Sequence, residues 1–222
     1  MLGPRNLPAR IPRVAQCRPP GRAISLVAAG AWVKLNHMPL RNTTLRWGSL
    51  AQLFHWLVVA LIITQFVLIS LAEDLPLGGE KIALILRHKS VGITILMLAV
   101  LRLTWRWLNP TPALPHTLKP YERFLARFTH AALYVLIFAI PLSGWTMSSA
   151  RNFTVSWFGL FELPNLVGQD KALYDALHET HEILATALIV VAVLHVLAAL
   201  KHHFVLKDDV LRRMLPFTRT PR

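Results

Sequence analysis

Four long apolar stretches, at about 50–71, 91–108, 124–147 and 176–200, constrain this chain more than any other feature. A spanning helix needs roughly 20 mainly apolar residues, because lipid offers no partner for an open backbone hydrogen bond. The stretches therefore predict an all-α membrane protein, a four-transmembrane-helix bundle running up-down-up-down. An apolar content of 54% and a mean hydropathy of +0.46 over 222 residues agree.

The formal charge of +13 raises nucleic acid, but the charges are segregated along the chain. Arg41 and Arg46 precede the first stretch. Arg102, Arg106, Lys119, Arg123 and Arg127 lie between the second and third, and Lys201, Lys207, Arg212, Arg213, Arg219 and Arg222 follow the fourth. The other two connections mix Glu73, Asp74, Glu80, Lys81 and Arg87, then Arg151, Glu162, Asp170, Lys171 and Asp175. Short loops rich in Lys and Arg stay in the cytoplasm, so both termini and the middle loop are expected on the cytoplasmic side. The basic excess is then a topology signal, and no nucleic-acid partner is expected.

Three divisions follow. Residues 1–40 form a basic leader or a misassigned start, since 1–37 hold five arginines, one lysine and no acidic residue, and Met38 opens a compact basic approach to the first helix. Residues 41–216 form the membrane domain, and 217–222 a basic tail. The segment 151–166, broken by Gly159 and Pro164, reads as a partly folded outer lid.

The single Cys17 excludes an internal disulfide, a CxxCH haem attachment and cysteine ligation of an iron–sulfur cluster. Redox chemistry would have to use histidine. Ionisable residues at membrane depth are by default functional, and here they are mostly histidines: His55, His88, His130, His181 and His195. His181 and His195 stand 14 residues apart, so they share a helix face about 21 Å apart along the axis. That is too far for one metal and suits two stacked cofactors. In an alternating bundle His88 comes level with His181, and His55 with His195. Each pair is expected to ligate the iron of one haem b edge-on, making these four the metal ligands. Iron so ligated has no open position for oxygen, which favours electron transfer over oxygen activation.

His130 is a third histidine near the inner level. It is expected shallower than His55, because Arg127 precedes it by three residues, and it serves as a propionate partner, a quinone-site residue or packing. His202 continues the ligand face and reads as a quinone or propionate partner or as an interfacial side chain. Lys89 and Arg87 flank His88 and are outer candidates for propionate contacts, with Arg46, Arg102 and Arg127 inner ones. Interfacial snorkelling is the competing reading for each. The tryptophans read as an interfacial belt. Ser90, Gly92, Ser143 and Gly144 read as close-packing residues, and Pro141 as a bend.

Taken in order, HW at His55, RHKSVGI at His88, RLTWR at Arg102, TPALP at Pro112, THAALYVLIFAIPLSGW in the third stretch, HEILA at His181, LHVLAALKHH at His195 and KDDVLRRMLP resemble the bacterial cytochrome b561 family. The likeness covers about 45–216. It implies a four-helix membrane cytochrome with two haems b, axial roles for His55, His88, His181 and His195, and ubiquinone as electron partner. One bacterial member is similar to a superoxide oxidase, so the resemblance extends to a superoxide:quinone oxidoreductase, with superoxide arriving near Arg87, Lys89 and Lys81. The alternative is a cytochrome b anchor subunit joining a partner dehydrogenase or hydrogenase to the quinone pool; copurification of a soluble subunit would distinguish it. A histidine-relay transporter is the reading without haem. Lipid is an expected partner, and a homodimer is compatible with the chain although no residue marks its interface.

Overall fold

The structure, a computed structural model, describes residues 40–44, 46–114 and 118–216. The leader, apart from Leu40, and the tail at 217–222 lie outside the described residues, as do His37 and His116. Four helices carry the membrane domain: α1 (Ser49–Glu73), α2 (Gly79–Leu108), α3 (Pro120–Ala150) and α4 (Lys171–Phe204). All four are long and apolar enough to cross a bilayer. Apart from one small hairpin, the architecture is the expected helical bundle.

The helices overrun the apolar stretches, α2 by twelve residues at its start and α4 by five. Hydropathy marks only the part of a helix that needs lipid, whereas an established helix gains a hydrogen bond with each added residue. His88 consequently sits well inside α2 instead of at its beginning. Helix α4 starts on the side chain of Asp170, which accepts from Leu173 N at 3.0 Å. Glu122 accepts from Lys119 N at 3.2 Å at the start of α3. Pro141 is accommodated inside α3, which runs on to Ala150.

Helix α1 packs on α2, α3 on α4, and α2 on α3. Among the described residues no Cα of α1 comes within 8 Å of a Cα of α4, so side chains alone span that side of the bundle. Its middle is closed by Ala99, Leu136, Ile137 and Leu188, with Ile62, Phe66, Leu133, Leu184 and Val191 against them. Leu53, Ile63, Val67, Val190 and Leu194 point outward, each more than half exposed. In water such a surface would drive aggregation; in a bilayer it faces lipid.

The connection after α3 folds into an antiparallel hairpin, β1 (Val155–Trp157) and β2 (Phe161–Leu163). Its turn places Phe158 and Gly159 at positive φ, 50° and 76°. Val155 and Leu163 bury against Ile93 of α2. Ser90 Oγ lies 3.0 Å from the Ser156 carbonyl and accepts from Phe158 N at 3.1 Å, and Trp157 Nε1 donates to Thr94 Oγ1 at 3.0 Å. The expected lid is thus an ordered hairpin pinned to α2 next to His88. Ser90 is a polar latch as well as a small packing residue.

Candidate functional site: two histidine pairs

At the hairpin end, α2 and α4 bring His88 and His181 together with ring centres 6.3 Å apart and planes at 69°. Ser143 Oγ of α3 is 3.0 Å from His181 Nδ1 and 2.8 Å from the Ile140 carbonyl. A hydroxyl has one proton, which goes to the carbonyl, so Ser143 accepts from His181 Nδ1–H. The lone pair of His181 is then left on Nε2, the form a metal requires. Gly144 makes room for this ring: a Cβ there would stand 3.1 Å from His181 Cε1. Among the described residues His88 Nδ1 and Gln65 Oε1 are buried without hydrogen-bond partners, an unusual state for polar atoms in a folded interior.

The opposite end carries His55 of α1 and His195 of α4, with ring centres 6.4 Å apart and planes at 72°. His130 of α3 stands 5.3 Å from His195. Arg102 Nη2 donates to His55 Nδ1 at 3.1 Å. A guanidinium cannot accept, so His55 carries its own proton on Nε2 in this arrangement. The Tyr134 ring lies 5.5 Å from Arg102 and 5.6 Å from Arg106, joining both cations to α3.

Ring separation tests the fit of a metal between opposed imidazoles. A nitrogen lies about 1.2 Å from its ring centre and metal–imidazole bonds run about 2.0–2.1 Å, so rings trans to one another across a metal stand about 6.4 Å apart. The spacings of 6.3 and 6.4 Å fit; the 5.3 Å between His130 and His195 is too short for a trans pair. Among the described residues no three His, Cys, Asp or Glu converge into a metal cage. A porphyrin needs none, since it brings its own equatorial nitrogens and asks only two axial ligands of the protein.

The remaining expected residues are scattered. Lys89 is half-buried, with Nζ 5.5 Å from the Phe153 ring centre, and Arg87 is exposed. His202 pairs through Nδ1 with Asp208 Oδ2. Trp56 Nε1 donates to the Met214 carbonyl, which ties it to the C-terminal segment and away from a face-on contact with a cofactor. Sequence reasoning missed Gln65 altogether, although a glutamine in the run IITQF is itself a polar group at membrane depth. It also missed Ser143 and Arg102 as partners of His181 and His55, because only the rotation of neighbouring helices decides which polar groups meet.

Comparison with known proteins adds independent findings. Residues 46–217 match the family described as prokaryotic cytochrome b561. The chain is 38% identical over 184 residues to cytochrome b561 homolog 2 of Escherichia coli, covering 80% of this chain and 95% of that one. It is 35% identical over 162 residues to a probable superoxide oxidase CybB of Yersinia pestis, covering 73% and 91%. Cytochrome b561 homolog 1 of Escherichia coli is 28% identical over 167 residues, covering 73% and 92%.

Proposed function

Since this chain belongs to the prokaryotic cytochrome b561 family, and is thereby a bacterial membrane electron-transfer protein, we propose that it holds two b-type haems, on His88 with His181 and on His55 with His195, and moves electrons between a donor at the hairpin end and ubiquinone. The observation that carries this reading is the pair of matched ring separations, 6.3 and 6.4 Å, one at each end of α4. Bound there, two bis-histidine haems supply one-electron transfer without an open coordination position.

The chain's own residues have distinct tasks in this reading. Ser143 holds His181 in the tautomer that offers Nε2 outward. His88, its Nδ1 buried and unpartnered among the described residues, would hold the same haem from α2. At the other end His55 would hold the haem through Nε2 if that nitrogen gave up its proton, and Arg102, now bonded to His55 Nδ1, would supply positive charge for a propionate. Between the two levels, the layer of Ala99, Leu136, Ile137 and Leu188 excludes water and keeps the dielectric low. This reading takes the hairpin end as the outer one, on the strength of the basic termini and middle loop.

Superoxide is the donor this reading favours, on the likeness to the Yersinia pestis protein. Lys89 and Arg87 supply positive charge next to His88 for an anion arriving there. The test is a dithionite-reduced minus oxidised spectrum of the detergent-purified chain with haem counted per protein, followed by superoxide-driven reduction with a ubiquinone analogue. Two low-spin b haems per chain and reduction abolished by superoxide dismutase are expected. A folded chain without haem overturns the cofactor assignment; two haems that superoxide does not reduce overturn the donor.

A further inference from the structure

We propose that the segment 205–216 is a strap that holds His55 at its distance from His195, acting through Gln52 and Trp56 as positioning residues. This rests on the reading that these two histidines share one haem.

The need for such a device follows from the packing. His55 belongs to α1 and His195 to α4, yet the backbones of these helices stay more than 8 Å apart among the described residues. No close backbone contact between α1 and α4 therefore sets the span between the two rings. The chain leaving α4 crosses this open side. Lys207 adopts φ 52° and turns the chain, and His202, two turns beyond His195, fixes the turn by pairing with Asp208. Asp208 also accepts from Val210 N at 3.0 Å, and Arg213 N donates to the Asp209 carbonyl at 2.9 Å.

The far end of the strap is gripped by α1. Gln52 Nε2 donates to the Arg213 carbonyl at 3.0 Å, and Trp56 Nε1 to the Met214 carbonyl at 2.9 Å. These donors lie four residues apart on one face of α1 and bracket His55, three residues after the first and one before the second. Two successive strap carbonyls thus receive two successive turns of the helix that carries the ring. Gln52 is only 2% exposed, so losing its partner would leave a buried amide unpaired. Arg213 Nη1 adds a bond to the Ala113 carbonyl, tying the strap to the α2–α3 connection as well. The strap is a brace from the His195 helix to the His55 helix across the gap between them.

The test uses the full chain and the double variant Gln52→Met with Trp56→Phe, which removes both donors while keeping apolar bulk. The readouts are haem content, the two midpoint potentials and the two low-spin electron paramagnetic resonance signals, with the terminal-end haem identified in a His181→Ala chain. The variant is expected to assemble both haems, to shift the potential and signal of the terminal-end haem alone, and to release that haem about tenfold faster. A chain ending at Leu211 should show the same change, and adding the double variant to it should change nothing further. Should the shortened chain fail to assemble, the single variants Gln52→Met and Trp56→Phe carry the test through the same potentials. Unchanged potentials, equal shifts in both haems, or an effect of the double variant that persists in the shortened chain would each overturn the strap. Wild-type protein without haem would overturn the underlying cofactor reading, an outcome distinct from a two-haem protein indifferent to its strap.

Discussion

The two ends of the bundle carry the same opposed pair of imidazoles but hold them differently. At the hairpin end a hydroxyl accepts from His181, a glycine clears space for the ring, and His88 Nδ1 is buried unpartnered among the described residues. On the proposed reading, this end needs little rearrangement to hold a haem. At the terminal end a guanidinium donates to His55, and His130 crowds His195 at 5.3 Å. On the proposed reading, that end would hold its haem only if the Arg102–His55 contact gave way. The difference teaches that equal spacing along α4 does not make equal sites; the groups facing each ring from α2 and α3 decide how it is prepared.

The largest expected effects come from removing one ring at each level. His181→Ala should leave one haem per chain, held at the terminal end, and His195→Ala one haem held at the hairpin end, as counted by pyridine haemochromogen. Loss of both haems from either variant would show that the levels are not independent. Gly144→Val comes next. A Cβ at this position already stands 3.1 Å from His181 Cε1, so branching it must displace the ring. Haem at the hairpin end should fall to a minor fraction while the other is retained; equal loss at both ends would break the comparison.

Smaller effects should appear in potentials. Arg102→Leu removes a positive charge beside His55, which favours the more positive oxidised haem. The terminal-end potential should drop by on the order of 60 mV, the one-electron equivalent of about a tenfold change in equilibrium constant. A drop confined to the hairpin-end haem would reverse the assignment of levels. Ser143→Ala removes the acceptor that makes His181 more basic, so the hairpin-end potential should rise, by less than the Arg102 effect. Spectroelectrochemical titration resolves both.

Much of this arrangement was legible in the sequence because its determinants are periodic. Apolar runs of spanning length fixed the helix number, and a 14-residue separation put His181 and His195 on one face whatever the neighbouring helices did. Alternating helices then brought His88 and His55 level with them. Contacts that depend on helix rotation carry no periodic mark. Ser143 and Gly144 look like ordinary close-packing residues until α3 is turned toward His181, and Arg102 looks like one more basic residue near a membrane surface until α2 is turned toward His55. The hairpin was legible only as a break, because strands of three residues have no room to show alternation. The strap was invisible for a further reason: its bonds to Gln52 and Trp56 use backbone carbonyls, which every sequence possesses.

The smallest expected effect bears most directly on the asymmetry between the ends. With three histidines near the terminal end, the sequence favours His55 over His130 to oppose His195 only on the nearness of Arg127 to His130. Distance separates the two. Rings trans across one metal stand about 6.4 Å apart, which the 6.4 Å of His55 satisfies and the 5.3 Å of His130 does not. His130→Phe should therefore keep two haems per chain and two low-spin signals, with a modest shift at the terminal end from the loss of a polar ring beside His195. His55→Phe should lose that haem. If His130→Phe loses it and His55→Phe keeps it, α3 and not α1 supplies the opposing ligand, and Arg102 is bonded to a histidine outside the coordination sphere.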